Sequence, residues 1–383
     1  MLQWHARAAG SIPSDENDRP SAEVNTRTMP SLLDEILQQP AALSMVRKYY
    51  TSVGAIPLGK LKSLASRKPA AVIMTGMGSS LNAAYPAQAF LTALGLRAIL
   101  WETGELLHHH LKILRSDTVL VVVSQSGETA EVVHLINRVP KSVPLVAVSN
   151  VERSTLARRA HLLLPMMAGG QATISTKTYT NAVAVLMYLA FALARKNHAP
   201  LTQGIIRAAE AQEELIEARE TLLPPTVEFF DQPPYVVLMA RGADLASAHQ
   251  GALTLKEVAR LAAEPMSAGQ FRHGPIEIIH PDHRYILFAR RGATGSRSGS
   301  RTADLMLRLG EDIRTHGGRV LLIADRAVET APNLRWIQTQ PLPLGLGTLV
   351  DSVLIQLLAH ALALRAGIEP GRFWIAEPVM RRE

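Results

Sequence analysis

The stretch LVVVSQSGETAEVV (120–133) runs four apolar residues into Ser124, Gln125, Ser126, Gly127, Glu128 and Thr129, and then into a helical pattern. No lysine or arginine stands among them. A turn between a buried strand and a helix offers the helix's unpaired N–H groups, whose dipoles favour an anion. Ser124, Ser126 and Thr129 add hydroxyl donors. Such a set can hold a phosphate with dipoles rather than cations. A plain Ser/Thr helix cap is the bland alternative, but three hydroxyls and a glycine at a strand end favour the cradle.

Two other phosphate loops can be tested against the sequence. There is no GxxxxGK[ST], which excludes a P-loop. GMGSSL (76–81) starts like the dinucleotide fingerprint but carries Leu81 where the third glycine belongs, while Glu102 closes the next strand where a ribose-binding acid would sit. A nicotinamide enzyme is therefore a minor reading. Ser79 and Ser80 suit a second wall of a phosphate pocket. QATISTKTYT (171–180) adds hydroxyls before an apolar helix. Ser175 and Thr176 read equally as caps of that helix and as further pocket residues.

GALTLKEVARLAAEPMSAGQFRHGPIE (251–277) places Lys256 and Glu257 within an apolar helical face formed by Leu253, Leu255, Val258 and Leu261. Lys256 is the only lysine after Lys196. A carboxylate partly desolvated on a core-facing helix has a raised proton affinity, which suits a general base near neutral pH. An exposed residue paired along the helix is the competing reading of Glu257. His273 sits in FRHGP, where Gly-Pro forces a turn; it reads either as a mobile acid/base or as a surface residue. His108, His109 and His110 are consecutive on a short helix and point apart, so no metal site is expected there.

The elements that must position these residues follow a clear alternation. AAVIMTGMGSS (70–80), LRAILWE, DTVLVVVSQSGET, VPLVAVSN and ARRAHLLLPM carry apolar strands, with helices between them. Apolar strands without period-two alternation, separated by helices, predict a parallel sheet covered on both faces. The order recurs: PYVVLMARGAD, RYILFARRGATG and RVLLIAD repeat it, with offsets of 164, 166 and 174 residues taking Ala71 to Tyr235, Val119 to Tyr285 and Leu145 to Arg319. The prediction is an α/β chain of two αβα units. Residues 1–28 read as a disordered extension, dispensable for folding and activity. The first unit spans 29–200 and a helical linker 201–225, with a break at Pro224–Pro225. The second unit spans 226–367 and a tail 368–383.

The 383 residues carry a net charge of +7 as scattered arginine, without a basic helix interleaved with aromatics, so nucleic-acid binding is not expected. There is no cysteine, which excludes disulfides, thiolate zinc sites and a cysteine nucleophile and fits a reducing cytoplasm. The run AVAVLMYLAFALA (182–194) is shorter than a bilayer requires and reads as a core helix. No membrane association or signal peptide is expected.

GMGSS, SQSGETAE, ISTKTYT, GALTLKE and AGQFRHGP, in this order and spacing, resemble the sugar-isomerase (SIS) domain family. The likeness runs from about residue 29 to 370 and is greatest to the isomerase half of glutamine–fructose-6-phosphate aminotransferases, with SIS-type glucosamine-6-phosphate deaminases and fructosamine-phosphate deglycases as relatives. The resemblance implies two tandem flavodoxin-like SIS domains without a glutaminase half. It implies that Ser80, Ser124, Gln125, Ser126 and Thr129 bind the sugar phosphate and that Ser175 contacts a sugar hydroxyl. Ser79 and Lys256 complete the expected substrate-binding set. It implies Glu257 as the base moving a proton between C1 and C2, and His273 as the ring-opening residue, contributed to the neighbouring site of a cytoplasmic homodimer. No metal or redox cofactor is expected. Two departures stand out. Thr254, immediately before LKE, stands where the family usually carries a lysine, and the tail EPGRFWIAEPVMRRE lacks the lysine that forms a Schiff base in the aminotransferases.

The expected function is therefore an isomerase or deaminase of a hexose or amino-sugar phosphate, with glucosamine 6-phosphate first among substrates. Deglycation of a fructosamine phosphate and simple aldose–ketose isomerisation are the enzymatic alternatives. A non-catalytic sugar-phosphate sensor is the alternative of another class.

Overall fold

Parallel strands form two five-stranded sheets in the computed structural model, which describes residues 30–64, 69–291, 297–329, 331–343, 345–375 and 380. The extension 1–28 lies outside the described residues. The first sheet contains β1 (Ala71–Gly76), β2 (Ala98–Glu102), β3 (Thr118–Ser124), β4 (Leu145–Ser149) and β5 (Leu162–Pro165), in the order β2-β1-β3-β4-β5. The second contains β6 (Val236–Ala240), β7 (Ala263–Ser267), β8 (Arg284–Ala289), β9 (Arg319–Ala324) and β10 (Leu334–Gln338), in the order β10-β9-β8-β6-β7. Reversed in direction of listing, the two orders are the same. This is the doubly wound, flavodoxin-like arrangement, with its topological switch between the first and third strands of each unit.

Side chains alternate between two cores along each strand. From the first sheet, Val72, Met74, Val121 and Val123 face a central core shared with the second unit, whereas Ile73, Leu120 and Val122 face an outer layer with Leu106, Val132 and Leu135. In the second sheet, Leu238, Ile286 and Phe288 face the shared core, and Met239, Tyr285 and Leu287 face Met306, Leu309 and Ile313. Burial on both faces explains why these strands read as continuous apolar runs. The helix Lys177–Leu193 runs through the shared core with every residue buried. Burial of each large aliphatic side chain there contributes about 1.5–3 kcal/mol. Tyr179 Oη and Thr348 Oγ1 share a buried hydrogen bond of 2.8 Å, and Gln39 donates to Gln356 at 2.7 Å, so polar contacts also join the units. Helix Gly347–Arg365 is long and apolar enough to cross a bilayer, but most of it is packed inside this core.

Three sequence expectations need correction. Strands β7 and β10 were not foreseen: both are edge strands, one holding Glu264 and Pro265 and the other Arg335, so neither makes an apolar run. The helix expected after the first strand is two pieces, Ser79–Asn82 and Tyr85–Ala93. Pro224 and Pro225 do not break the chain, because helix Arg219–Phe230 passes through them. Thr226 Oγ1 donates to the Leu222 carbonyl at 2.7 Å and Arg335 Nη2 to the same oxygen at 3.3 Å, holding a turn that proline alone would disfavour.

Candidate active site

The ends of β1 and β3 flank the switch point of the first sheet, where open parallel sheets bind ligands. A cavity of about 240 Å³ lies there. Gly78, Ser79 and Ser80 form one wall after β1, and Ser124, Gln125, Ser126 and Thr129 form a second after β3. Ser175 closes a third side. Leu253 and Glu257 descend from helix Leu245–Ala259 of the second unit. Glu257 and the hydroxyl ring, read from separate stretches of sequence, thus meet in one cavity within a single chain. Larger hollows elsewhere, such as the one between helix Ala199–Glu217 and β10, gather no ring of hydroxyls.

The 124–129 turn is built to present donors. Ser124 Oγ accepts from the Gly127 N–H at 3.0 Å, and Ser126 Oγ accepts from the Glu128 N–H at 3.2 Å. Each hydroxyl with an oxygen lone pair engaged keeps its own O–H available to an anion. Thr129 precedes helix Ala130–Arg138 but makes no side-chain cap bond, so the plain-cap reading does not describe it. Gly127 has φ +65°, and a Cβ there would lie 2.3 Å from Ser154 Oγ, so the tight approach of the two loops requires glycine. The Glu128 carboxylate accepts from Thr155 N at 2.6 Å and Thr155 Oγ1 at 2.9 Å, tying the turn to helix Thr155–Arg159. On the opposite wall, a Cβ at Gly76 would come within 2.9 Å of Ser80, so glycine also permits this turn.

Among the described residues, no lysine or arginine lines the cavity. Any anion would be held by hydroxyls and by the N-terminus of helix Ala130–Arg138. One donor of that helix is already engaged, because Ala130 N–H donates to the Met380 carbonyl at 3.1 Å. Met380 also lines the cavity, a contact from the tail that no sequence signal announced.

Glu257 has a buried Oε2 without a hydrogen-bond partner and makes no ion pair among the described residues. The paired, exposed reading of Glu257 does not hold. Burial pushes its carboxyl up to about 7, so the group changes charge near neutrality. Leu253, one turn before it, packs 3.6 Å from where a Gly78 Cβ would be, which sets the helix directly over the β1 turn.

Other expected residues fall outside this group. Lys256 is exposed and does not line the cavity, and its charge instead acts with burial to lower the pKa of His249. His273 is exposed on its turn and likewise does not line the cavity of its own chain. Neither Ser175 nor Thr176 caps the helix Lys177–Leu193. Gln171 does so, its Oε1 accepting from Thr178 N at 3.1 Å and Thr178 Oγ1 at 2.8 Å. A glutamine six residues upstream of a helix carries no capping signature in sequence. Among the described residues, no group of His, Asp and Glu could hold a metal ion.

The second unit has no counterpart to the cradle among the described residues. The offset of 166 that relates Val119 to Tyr285 brings Arg290 to the place of Ser124. Arg290 is buried and ion-paired to Asp351, which also accepts from Ser247 Oγ at 2.7 Å. An internal carboxylate thus fills the second switch point.

Comparison with known proteins agrees with this architecture. A glutamine–fructose-6-phosphate aminotransferase (isomerizing) of Pyrococcus horikoshii is 29% identical over 347 residues, 89% of this chain and 56% of the relative. The chain spans about half the length of such relatives. In fold it is similar to tagatose-6-phosphate ketose/aldose isomerase from Escherichia coli (TM-score 0.74, 20% identity, covering 94% of this chain and 100% of that one). It is also similar in fold to glucosamine-6-phosphate deaminase from Thermotoga maritima (TM-score 0.68, 18% identity, covering 91% and 99%). The family model described as SIS domain matches residues 64–193 and 229–362, one match on each sheet, and the chain belongs to the SIS domain family.

Proposed function

We propose that this protein is a sugar-phosphate isomerase or deaminase, acting first on glucosamine 6-phosphate to give fructose 6-phosphate and ammonia. One observation carries the reading: Glu257, a carboxyl that burial pushes up to about 7, shares a small cavity with a ring of neutral hydroxyls. The phosphate docks on Ser80 and on the Ser124–Thr129 turn, with Gln125 and Ser79 beside it. Ser175 contacts a sugar hydroxyl across the cavity.

After ring opening to the aldehyde, ionised Glu257 removes the C2 proton, the electron pair forms the C1–C2 double bond, and O1 takes up the proton that the substrate's own ammonium gives up, which yields an enolamine. Protonation at C1 by the same carboxyl gives the C2 imine of the ketose. Water adds to that imine and ammonia leaves, so no enzyme lysine is needed. The lysine-free described part of the tail and Thr254 are compatible with this route. Positioned proton transfer of this kind typically contributes 10²–10⁴-fold. His273, exposed in its own chain, is proposed to serve ring opening in the cavity of a second copy, which makes the working unit a homodimer.

The test is incubation with glucosamine 6-phosphate, without glutamine, followed by assays for ammonia and fructose 6-phosphate. Ammonia release supports deamination. A changed sugar without ammonia moves the assignment to aldose–ketose isomerisation. Ammonia-free release of an amine from a fructosamine phosphate would identify a deglycase. Binding without turnover of any of these would identify a sensor.

A further inference from the structure

Glu35 is a fully buried acid on the short helix Leu32–Leu37, upstream of the region matched by the family model. A buried carboxylate is costly unless hydrogen bonds compensate it, and the compensation here is concentrated in one place. Its Oε1 accepts from Ala172 N at 2.5 Å, and its Oε2 accepts from Thr173 N at 3.3 Å and from Thr173 Oγ1. It makes no ion pair among the described residues. Gln38, at the end of the same helix, accepts from Lys177 Nζ at 2.7 Å, and that ammonium also donates to the Gly170 carbonyl at 2.7 Å. The helix therefore holds the 170–176 segment directly at Ala172 and Thr173, and at Gly170 through Lys177.

That segment has no strand or helix of its own, and it carries Ser175 into the cavity. Only Ile174 separates the clamp at Thr173 from Ser175, and Gln171, beside the clamped Ala172, donates to the Ile174 carbonyl at 2.7 Å, so the height of Ser175 over the cavity follows from where Glu35 holds the loop. We propose that Glu35 is a positioning residue that sets Ser175 against the sugar. It rests on the reading of Ser175 as a sugar contact and adds the acid that aims it.

The experiment uses the full chain and isothermal titration with glucosamine 6-phosphate and with inorganic phosphate, for the parent, E35Q, S175A and the double variant. A Gln at position 35 keeps the shape but puts an amide N–H₂ against backbone donors. Glucosamine 6-phosphate should bind E35Q and S175A each about tenfold more weakly, the size of one lost hydrogen bond. Inorganic phosphate, held only on the opposite walls, should bind all four alike. The double variant should bind no worse than S175A, because Glu35 acts through that serine. Should E35Q not fold, judged by its melting curve, T173V removes the hydroxyl from the clamp and takes its place in the cycle. Unchanged sugar-phosphate binding by E35Q, additive losses in the double variant, or an equal loss for inorganic phosphate would overturn the proposal. Full-strength binding by S175A, or none by the parent, would instead remove the sugar-contact reading, and the proposal with it.

Discussion

Asn82 Nδ2 donates to Gln250 Oε1 at 3.2 Å, across the boundary between the two units. Asn82 ends the turn that bears Ser79 and Ser80, and Gln250 lies two turns before Glu257 on one helix. This contact and the packing of Leu253 over Gly78 join the Ser79–Ser80 wall of the cavity to the acid. The cavity is therefore a product of how the units dock, and its geometry should respond to changes on either side.

Glu257→Gln should reduce turnover by at least 10²-fold while leaving glucosamine 6-phosphate affinity within a few-fold, measured by ammonia release and by titration calorimetry. In the parent, kcat should rise with pH through about 7 as the carboxyl ionises. Stability runs the other way. The folded pKa lies above the ordinary value of 4.5, so the stabilisation is complete below about 4.5 and is lost as pH climbs through about 7. Melting temperatures measured from pH 4.5 to 8 should show the parent losing ground to the non-titrating Gln variant over that window. A parallel pair of curves would refute the raised pKa.

Ser124→Ala removes a hydroxyl from the cavity wall proposed to hold the phosphate and leaves the Gly127 N–H without its acceptor. A hydrogen bond to a charged group contributes about 1.5–3 kcal/mol, so sugar-phosphate affinity should fall about 10- to 100-fold. Ser126→Ala, which frees only the Glu128 N–H, should show a similar loss with less effect on melting. Binding of the unphosphorylated sugar serves as the control and should not change.

Gly127→Ala places a methyl group at φ +65° and 2.3 Å from Ser154 Oγ. Left-handed strain alone costs about 1–2 kcal/mol, and the contact must push the two loops apart. The variant should melt several degrees lower and lose phosphate affinity. A variant that retains both would show that the turn does not need its glycine.

Asp351→Ala leaves Arg290 buried and unpaired at the second switch point. Removing one partner of such a pair destabilises by about 3–5 kcal/mol, measurable by urea unfolding. Because this pair occupies the unit in which the described residues form no second ring of hydroxyls, parent stoichiometry should be one sugar phosphate per chain. Two equivalent sites per chain in titration would contradict that assignment.

By itself the sequence determined the parallel sheets, because central strands buried on both faces must be apolar throughout, and it determined the chemistry of the 124–129 turn, because hydroxyls and glycine are local signals. It also marked Glu257 as an unusual acid on an apolar helix. The tertiary structure alone decided that Glu257 meets Ser124, 133 residues away in the chain, because that distance depends on the docking of two units. It decided that Lys256 and His273 stay at the surface of the single chain and that Met380 reaches the helix N-terminus. It assigned capping to Gln171 and the loop clamp to Glu35, whose partners lie on other segments. Edge strands β7 and β10 escaped for a related reason: half-exposed, they owe their pairing to the neighbouring strand rather than to an apolar pattern of their own.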